Sequence, residues 1–248
     1  MGIDGSGTSR AGGDGTHNED AFRVDEGLGL YVVCDGVSTS AAGEVAAQIA
    51  SEAVATSVSQ SEQELDFRRR RIARFVVEKA MRRAMRAVAE AEESDSRLAG
   101  LETTITLLLA NRDLGIIGHR GDSRAYLIRR SRCKQLTMDH ELTEPVGNGG
   151  SHPSEFDVFA VELRPGDIVV LCTDGAEDVV EDDAIVRTAS EVSPKMLASR
   201  IVSAAQRLDP SRDATVVVVR VGGKRELGWL ELSRMPLGTA YGHTLQRA

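Results

Sequence analysis

The chain has 248 residues, and 30 Lys and Arg against 38 Asp and Glu leave a net charge of −8. That balance excludes the basic stripe of a nucleic-acid binder, and 41% hydrophobic with 27% charged residues excludes a disordered chain. Apolar runs such as Val216 to Val219 are far too short to span a bilayer.

The first fifteen residues are Gly-rich, carry Asp4 and Asp14, and lack the apolar core of a secretory signal. Leu30 to Cys34 is a short β-branched run and reads as a buried strand. Ala41 to Val58 follows, Ala-rich, with Val45, Ile49 and Val54 at helical spacing. Ile72, Phe75, Val76, Met81, Met85 and Val88 predict a longer amphipathic helix from about Leu65 to Glu93. The basic run Arg68 to Arg71 at its start reads as a solvated face. Thr104 to Ala110 and Ala125 to Ile128 are further strands, and no helix separates them. Gly115, Gly118 and Gly121 punctuate this group, which predicts an antiparallel meander up to Leu136. Ile168 to Cys172 is the next strand. Ser193 as cap and Pro194 at the first helical position open a helix to Leu208. Val216 to Val219 is the last strand. Helices lie before and after the strand groups rather than between them, so the fold class is α+β. One domain is expected over residues 1–221, with a tail over 222–248. Cys34, Cys133 and Cys172 are odd in number and lack framework spacing, which predicts a reduced, cytoplasmic protein.

The chemistry is carried by aspartates that close apolar runs. Val33-Cys34-Asp35-Gly36 and Cys172-Thr173-Asp174-Gly175 share one form: strand, Asp-Gly, then a segment that is no strand. A hairpin needs a second strand at once, so each strand instead delivers a carboxylate, and the glycine admits close backbone approach. Asn18-Glu19-Asp20, Gly121-Asp122-Ser123-Arg124 and Asp213 add further acids near strand ends. Carboxylates gathered this way repel unless a cation neutralises them. Oxygen ligands without a His or Cys cluster point to Mg²⁺ or Mn²⁺ rather than zinc. The five histidines, including His17, His119 and His140, are scattered.

Asn18-Glu-Asp-Ala, Val33-Cys-Asp-Gly, Ala42-Gly-Glu, Thr103-Thr104, Gly121-Asp-Ser-Arg-Ala-Tyr-Leu, Leu136-Thr-Met-Asp-His, Leu171-Cys-Thr-Asp-Gly and Asp213-Ala-Thr-Val-Val, in that order, resemble the metal-dependent protein phosphatases, the protein phosphatase 2C or PPM family, of bacterial type. The resemblance covers about His17 to Val221. It implies a four-layer α-β-β-α sandwich of two antiparallel sheets flanked by helices. It also implies two Mg²⁺ or Mn²⁺ ions, with a third weaker one. Carried over, Asp35 bridges the two ions, Gly36 ligates through its carbonyl, and Asp174 and Asp213 complete one shell. Asp20 with Glu19 matches the first acidic motif, and Asp122 the third site. The catalytic set is then Asp35, Asp174 and Asp213. The implied activity is hydrolysis of phosphoserine or phosphothreonine in a protein by a metal-activated water. The expected protein is a monomer without nucleic-acid or membrane partners.

Departures are specific. An Arg that grips phosphate in many members is replaced by Gly15, Thr16 and His17, leaving His17 and Arg10 as candidate substrate-binding residues. Val37-Ser-Thr-Ser40 stands where Met-Gly-Gly-His is usual, and the flap region 141–166 is short. Arg124 is read as orienting Asp122 or a turn. The alternative is a phosphatase-like regulatory or binding module with weak or no turnover.

Overall fold

A computed structural model describes residues 2–13, 15–37, 42–62, 69–140 and 156–222. The chain opens with strands β1 (Ile3–Arg10), β2 (Asp20–Asp25) and β3 (Leu30–Val37), then helices α1 (Gly43–Glu62) and α2 (Arg70–Ser94). A second run of strands follows: β4 (Glu102–Thr103), β5 (Ile105–Asn111), β6 (Leu114–Arg120), β7 (Arg124–Arg129), β8 (Arg132–Gln135), β9 (Asp157–Glu162) and β10 (Ile168–Cys172). Short helices α3 (Glu177–Val180) and α4 (Asp183–Thr188) precede α5 (Pro194–Leu208), and β11 (Ala214–Val221) closes the fold.

The strands form two antiparallel sheets, ordered β1-β11-β10-β7-β8 and β2-β3-β5-β6-β9, with β4 paired to β3. Alternation assigns each strand residue to a layer. Leu30, Val32 and Cys34 of β3 pack under α1 and α2, while Tyr31 and Val33 face the other sheet. Val216 and Val218 of β11 pack under α5, while Val217 and Val219 face inward. Both faces of these strands are buried, so they read as continuous apolar runs. Helices, sheet, sheet and helices stack as four layers, as expected. Ser193 caps α5 by accepting from the Met196 amide, with Pro194 in the first turn, also as expected.

The expected meander does not form. β5 pairs with β6 and β7 with β8, but β6 continues to β9 and β7 to β10. The chain crosses between sheets at Gly121, whose φ of +100° suits a residue without a side chain. Gly115 and Gly118 are not punctuation either. Both lie inside β6, and a Cβ at Gly118 would stand 2.8 Å from Val77 of α2, so the glycine admits the helix. β1 is a strand where only Gly-richness is legible in the sequence. A Cβ at Gly5 or Gly7 would overlap the rings of Tyr31 or Phe22, so small residues there let the sheets close. Ser38 to Ser40, most of the flap region and the tail beyond Gly222 lie outside the described residues.

Candidate metal centre

The layer between the sheets turns polar at one end. In β3 the alternation that sends Tyr31 and Val33 inward sends Asp35 inward as well. Asp20 stands opposite Asp35 in the β2–β3 register, so the two carboxylates share a face. From the other sheet, Thr173 and Asp174 leave the end of β10, and Asp213 directly precedes β11. Asp122 lies in the Gly121 crossover.

Backbone and hydroxyl groups hold these acids in place. The Asp35 amide donates to Thr104 Oγ1 at 2.9 Å, and Thr104 Oγ1 also bonds Ser123 Oγ at 2.7 Å. Thr103 Oγ1 and the Thr104 amide both donate to the Asp35 carbonyl. Thr173 Oγ1 donates to Asp20 Oδ2 at 2.8 Å and accepts from the Thr215 amide at 3.0 Å. Asp213 accepts the Gly12 amide at 2.7 Å and the Glu19 amide at 2.6 Å. The two Asp-Gly glycines are needed for contact. A Cβ at Gly36 would lie 1.9 Å from the Gly43 carbonyl at the start of α1, and one at Gly175 would lie 1.9 Å from the Asp213 carbonyl. Neither Asp-Gly is a hairpin: Asp174–Ala176 is a 3₁₀ turn leading into α3.

The electrostatics report crowding. Burial, followed by the charges of Asp20, Asp174, Asp122 and Asp213, pushes the Asp35 carboxyl up to about 9. Burial also raises Asp20, to about 7, against the hydroxyls of Thr215 and Thr173 that draw it down. Glu19 is raised by burial and by Asp213, and lowered by the Gly43 amide and the nearby charge of His17. Asp174 is raised by burial and by Asp122, and drawn back by Arg212, whose guanidinium bonds its carboxylate.

Among the described residues, no three acidic or imidazole groups stand in a finished coordination shell. Asp174 bonds Arg212, and Asp213 accepts one amide on each of its oxygens. The donor set nevertheless fits a hard divalent ion. It is all oxygen, it is crowded with acid, and Asp20 Oδ1 is buried with no hydrogen-bond partner among the described residues. A buried lone oxygen of that kind is costly unless a cation or proton meets it.

The other expected site residues fall at the margin. His17 is exposed, close enough to Glu19 for its charge to be felt there. Arg10 ends β1 opposite Ala214, one residue from Asp213, but its alternation places it on the face of β1 away from the inter-sheet layer. Arg124 does not orient Asp122. It forms a fork with Asp139 at 2.6 to 3.1 Å and reaches Glu177 at 3.0 Å. Thr104 and Thr173 stand in motifs of the sequence without a role assigned to them, and Arg212 stands outside those motifs. Only Arg212 carried a usable signal, as a cation next to a candidate ligand.

The sequence profile of the protein phosphatase 2C family matches residues 7–209. The serine/threonine protein phosphatase PstP of Mycobacterium tuberculosis is 30% identical over 227 residues, which is 83% of this chain and 42% of that protein. This chain therefore spans less than half the length of that curated relative. The crystal structure of the Mycobacterium tuberculosis phosphatase PstP/Ppp superposes with a TM-score of 0.76 at 26% identity, over 90% of this chain and 100% of the other. A structure of the PstP catalytic domain in complex with two manganese ions superposes with a TM-score of 0.73 at 26% identity, over 89% and 99%.

Proposed function

Because the chain belongs to the protein phosphatase 2C family, we propose that it is a divalent-metal-dependent phosphatase acting on phosphoserine and phosphothreonine in proteins. The observation that carries this reading is the placement of Asp35, directly opposite Asp20 in the β2–β3 register and close enough to Asp174, Asp122 and Asp213 for their charges to raise its carboxyl. Such a group is strained as an anion until positive charge arrives.

Asp35, Asp20, Asp174 and Asp213 would hold two Mg²⁺ or Mn²⁺ ions, with the Gly36 carbonyl and Glu19 beside them and Asp122 at a third, weaker position. When bound, divalent cations supply an activated water as nucleophile and offset the charge gathering on the phosphoryl oxygens. The chain's own residues set the geometry. Thr104 and Thr103 fix the Asp35 backbone, Thr173 fixes Asp20, and the Gly12 and Glu19 amides orient Asp213. No cysteine is required as nucleophile. Cys34 and Cys172 are fully buried, and burial pushes both thiols well above their ordinary range.

We take residues 1–221 as the catalytic domain and residues 222–248 as a tail, and the working protein as a cytoplasmic monomer. Three free cysteines support a reducing compartment, and the acidic balance supports a partner other than nucleic acid. The test is phosphate release from a phosphothreonine peptide with Mn²⁺, comparing wild type with Asp35→Asn and Asp174→Asn. Turnover is expected only in the wild type with metal. Persistent turnover in excess EDTA, or in both variants, overturns the reading. Metal binding without turnover on any phosphopeptide favours the binding-module alternative.

A further inference from the structure

The acid cluster poses a problem for its own substrate. A phosphoryl group carries close to two negative charges, and Asp122, Asp174, Glu19 and Asp213 stand close enough together for their charges to be felt. Cations held among these acids would offset part of that charge, but the phosphate oxygens turned away from them would still need donors. Arg124 is committed to Asp139 and Glu177, and Arg10 lies on the outer face of its strand.

Arg212 is differently placed. Its backbone is fixed on several sides. Its carbonyl accepts from Gln206 Nε2 at 2.8 Å, its neighbour Asp213 holds the Gly12 amide, and Gly12 is packed so close that a Cβ there would lie 2.4 Å from the Arg212 carbonyl carbon. The Gly13 amide also donates to the Pro210 carbonyl. The side chain, by contrast, is 45% exposed, and its guanidinium rests on the partly buried Asp174. Asp174 is also a carboxylate that a divalent ion would claim.

We propose that Arg212 is the residue that grips the substrate phosphate, held on Asp174 until a divalent cation takes that carboxylate. Cation and guanidinium compete for one acid, so loading the site frees a planar two-donor fork beside the place the phosphate must occupy. That fork matches phosphate geometry in a way an ammonium does not. The site thereby acquires its phosphate-binding arm only when the charge that makes hydrolysis feasible is present. This inference rests on the phosphatase reading, but both of its readouts are binding constants and need no turnover.

The experiment compares wild type, Arg212→Ala and Arg212→Lys by calorimetry, titrating Mn²⁺ into metal-free protein and then inorganic phosphate into Mn²⁺-loaded protein. Arg212→Ala should bind Mn²⁺ tighter by about threefold to tenfold, since a competing positive charge is gone. It should bind phosphate more weakly by about tenfold, with Arg212→Lys intermediate because it keeps charge but loses the fork. With a phosphopeptide that turns over, kcat/KM should fall by about tenfold in Arg212→Ala. Thermal melts of all three, with and without Mn²⁺, establish that each is folded. Unchanged phosphate affinity in Arg212→Ala, or Mn²⁺ affinity that is unchanged or weaker, overturns the proposal. Shifted binding constants with no hydrolysis of any phosphopeptide would sink the phosphatase reading and leave the role of Arg212 standing.

Discussion

Asp20 and Asp35 face each other across the β2–β3 pair, one of Asp20's oxygens buried without a partner among the described residues. Like charges directly opposite on antiparallel strands destabilise the pair. Asp20→Asn relieves that repulsion and keeps the shape. At pH 9 and above, where both carboxyls ionise, it should raise the melting temperature of metal-free protein by about 3 °C, in line with about 1 kcal/mol in a chain of this size. The same change should weaken Mn²⁺ binding by at least about tenfold. Scanning fluorimetry in EDTA with a Mn²⁺ titration reads both; a variant less stable without metal than wild type at that pH contradicts the account.

Stability of the metal-free protein should fall as pH rises. Both carboxyls are raised in the fold, Asp35 up to about 9 and Asp20 up to about 7. Between the ordinary carboxylate range and those values the folded state binds more protons than the unfolded chain, so each step up in pH favours unfolding. Denaturation in EDTA at pH 5, 7 and 9 should show this decline, and saturating Mn²⁺ should flatten it. A metal-free protein that gains stability from pH 5 to 9 contradicts the assignment.

Thr104 is fully buried and joins both halves of the site, accepting from the Asp35 amide and bonding Ser123. Thr104→Val keeps the volume but strands the Asp35 amide and the Ser123 hydroxyl. The expected cost is about 2 kcal/mol, or about 6 °C in melting temperature. Urea unfolding measures it directly, and a loss below a tenth of that would show that Thr104 does not hold Asp35.

What the sequence discloses here follows from where a residue's constraint comes from. Asp35 and Asp174 are legible because each ends a run of residues buried on both faces, and a carboxylate in that position has no local excuse. Gly36 and Gly175 are legible beside them, although the partners they admit, the Gly43 and Asp213 carbonyls, are not. β1 is invisible because its glycines answer to Tyr31 and Phe22 in the other sheet. The split of the expected meander is invisible for the same reason: alternation fixes which residues of β6 and β7 are buried, but not which sheet buries them. Thr173 and Arg212 are ordinary polar residues whose meaning is wholly tertiary. Arg124 holds Asp139 rather than Asp122, a partner fifteen residues on and across a strand pair.

Gly36→Ala and Gly175→Ala should each abolish cation binding, because the added methyl meets backbone oxygen at 1.9 Å rather than a yielding side chain. Gly2→Ala is the control, with nothing within 4 Å of the new carbon. Calorimetry with Mn²⁺ separates them, and near-normal affinity in Gly36→Ala would show that β3 and α1 need not approach as closely as they do.

Alkylation tests whether a thiol takes part in the proposed hydrolysis. Cys34 lies one residue before Asp35 and Cys172 two before Asp174, positions from which a thiolate could in principle reach the site. Both are fully buried on the helix-facing sides of their strands, and a thiolate there would sit in apolar packing beside carboxylates. Cys133 in β8 is partly exposed, and burial holds its thiol up at about 11. Iodoacetamide at pH 8 should therefore label native protein slowly and at Cys133 alone, with phosphatase activity unchanged, whereas urea-unfolded protein should take up three labels. Activity lost in step with modification of Cys34 or Cys172 would place a thiol in the reaction and remove the water-based mechanism.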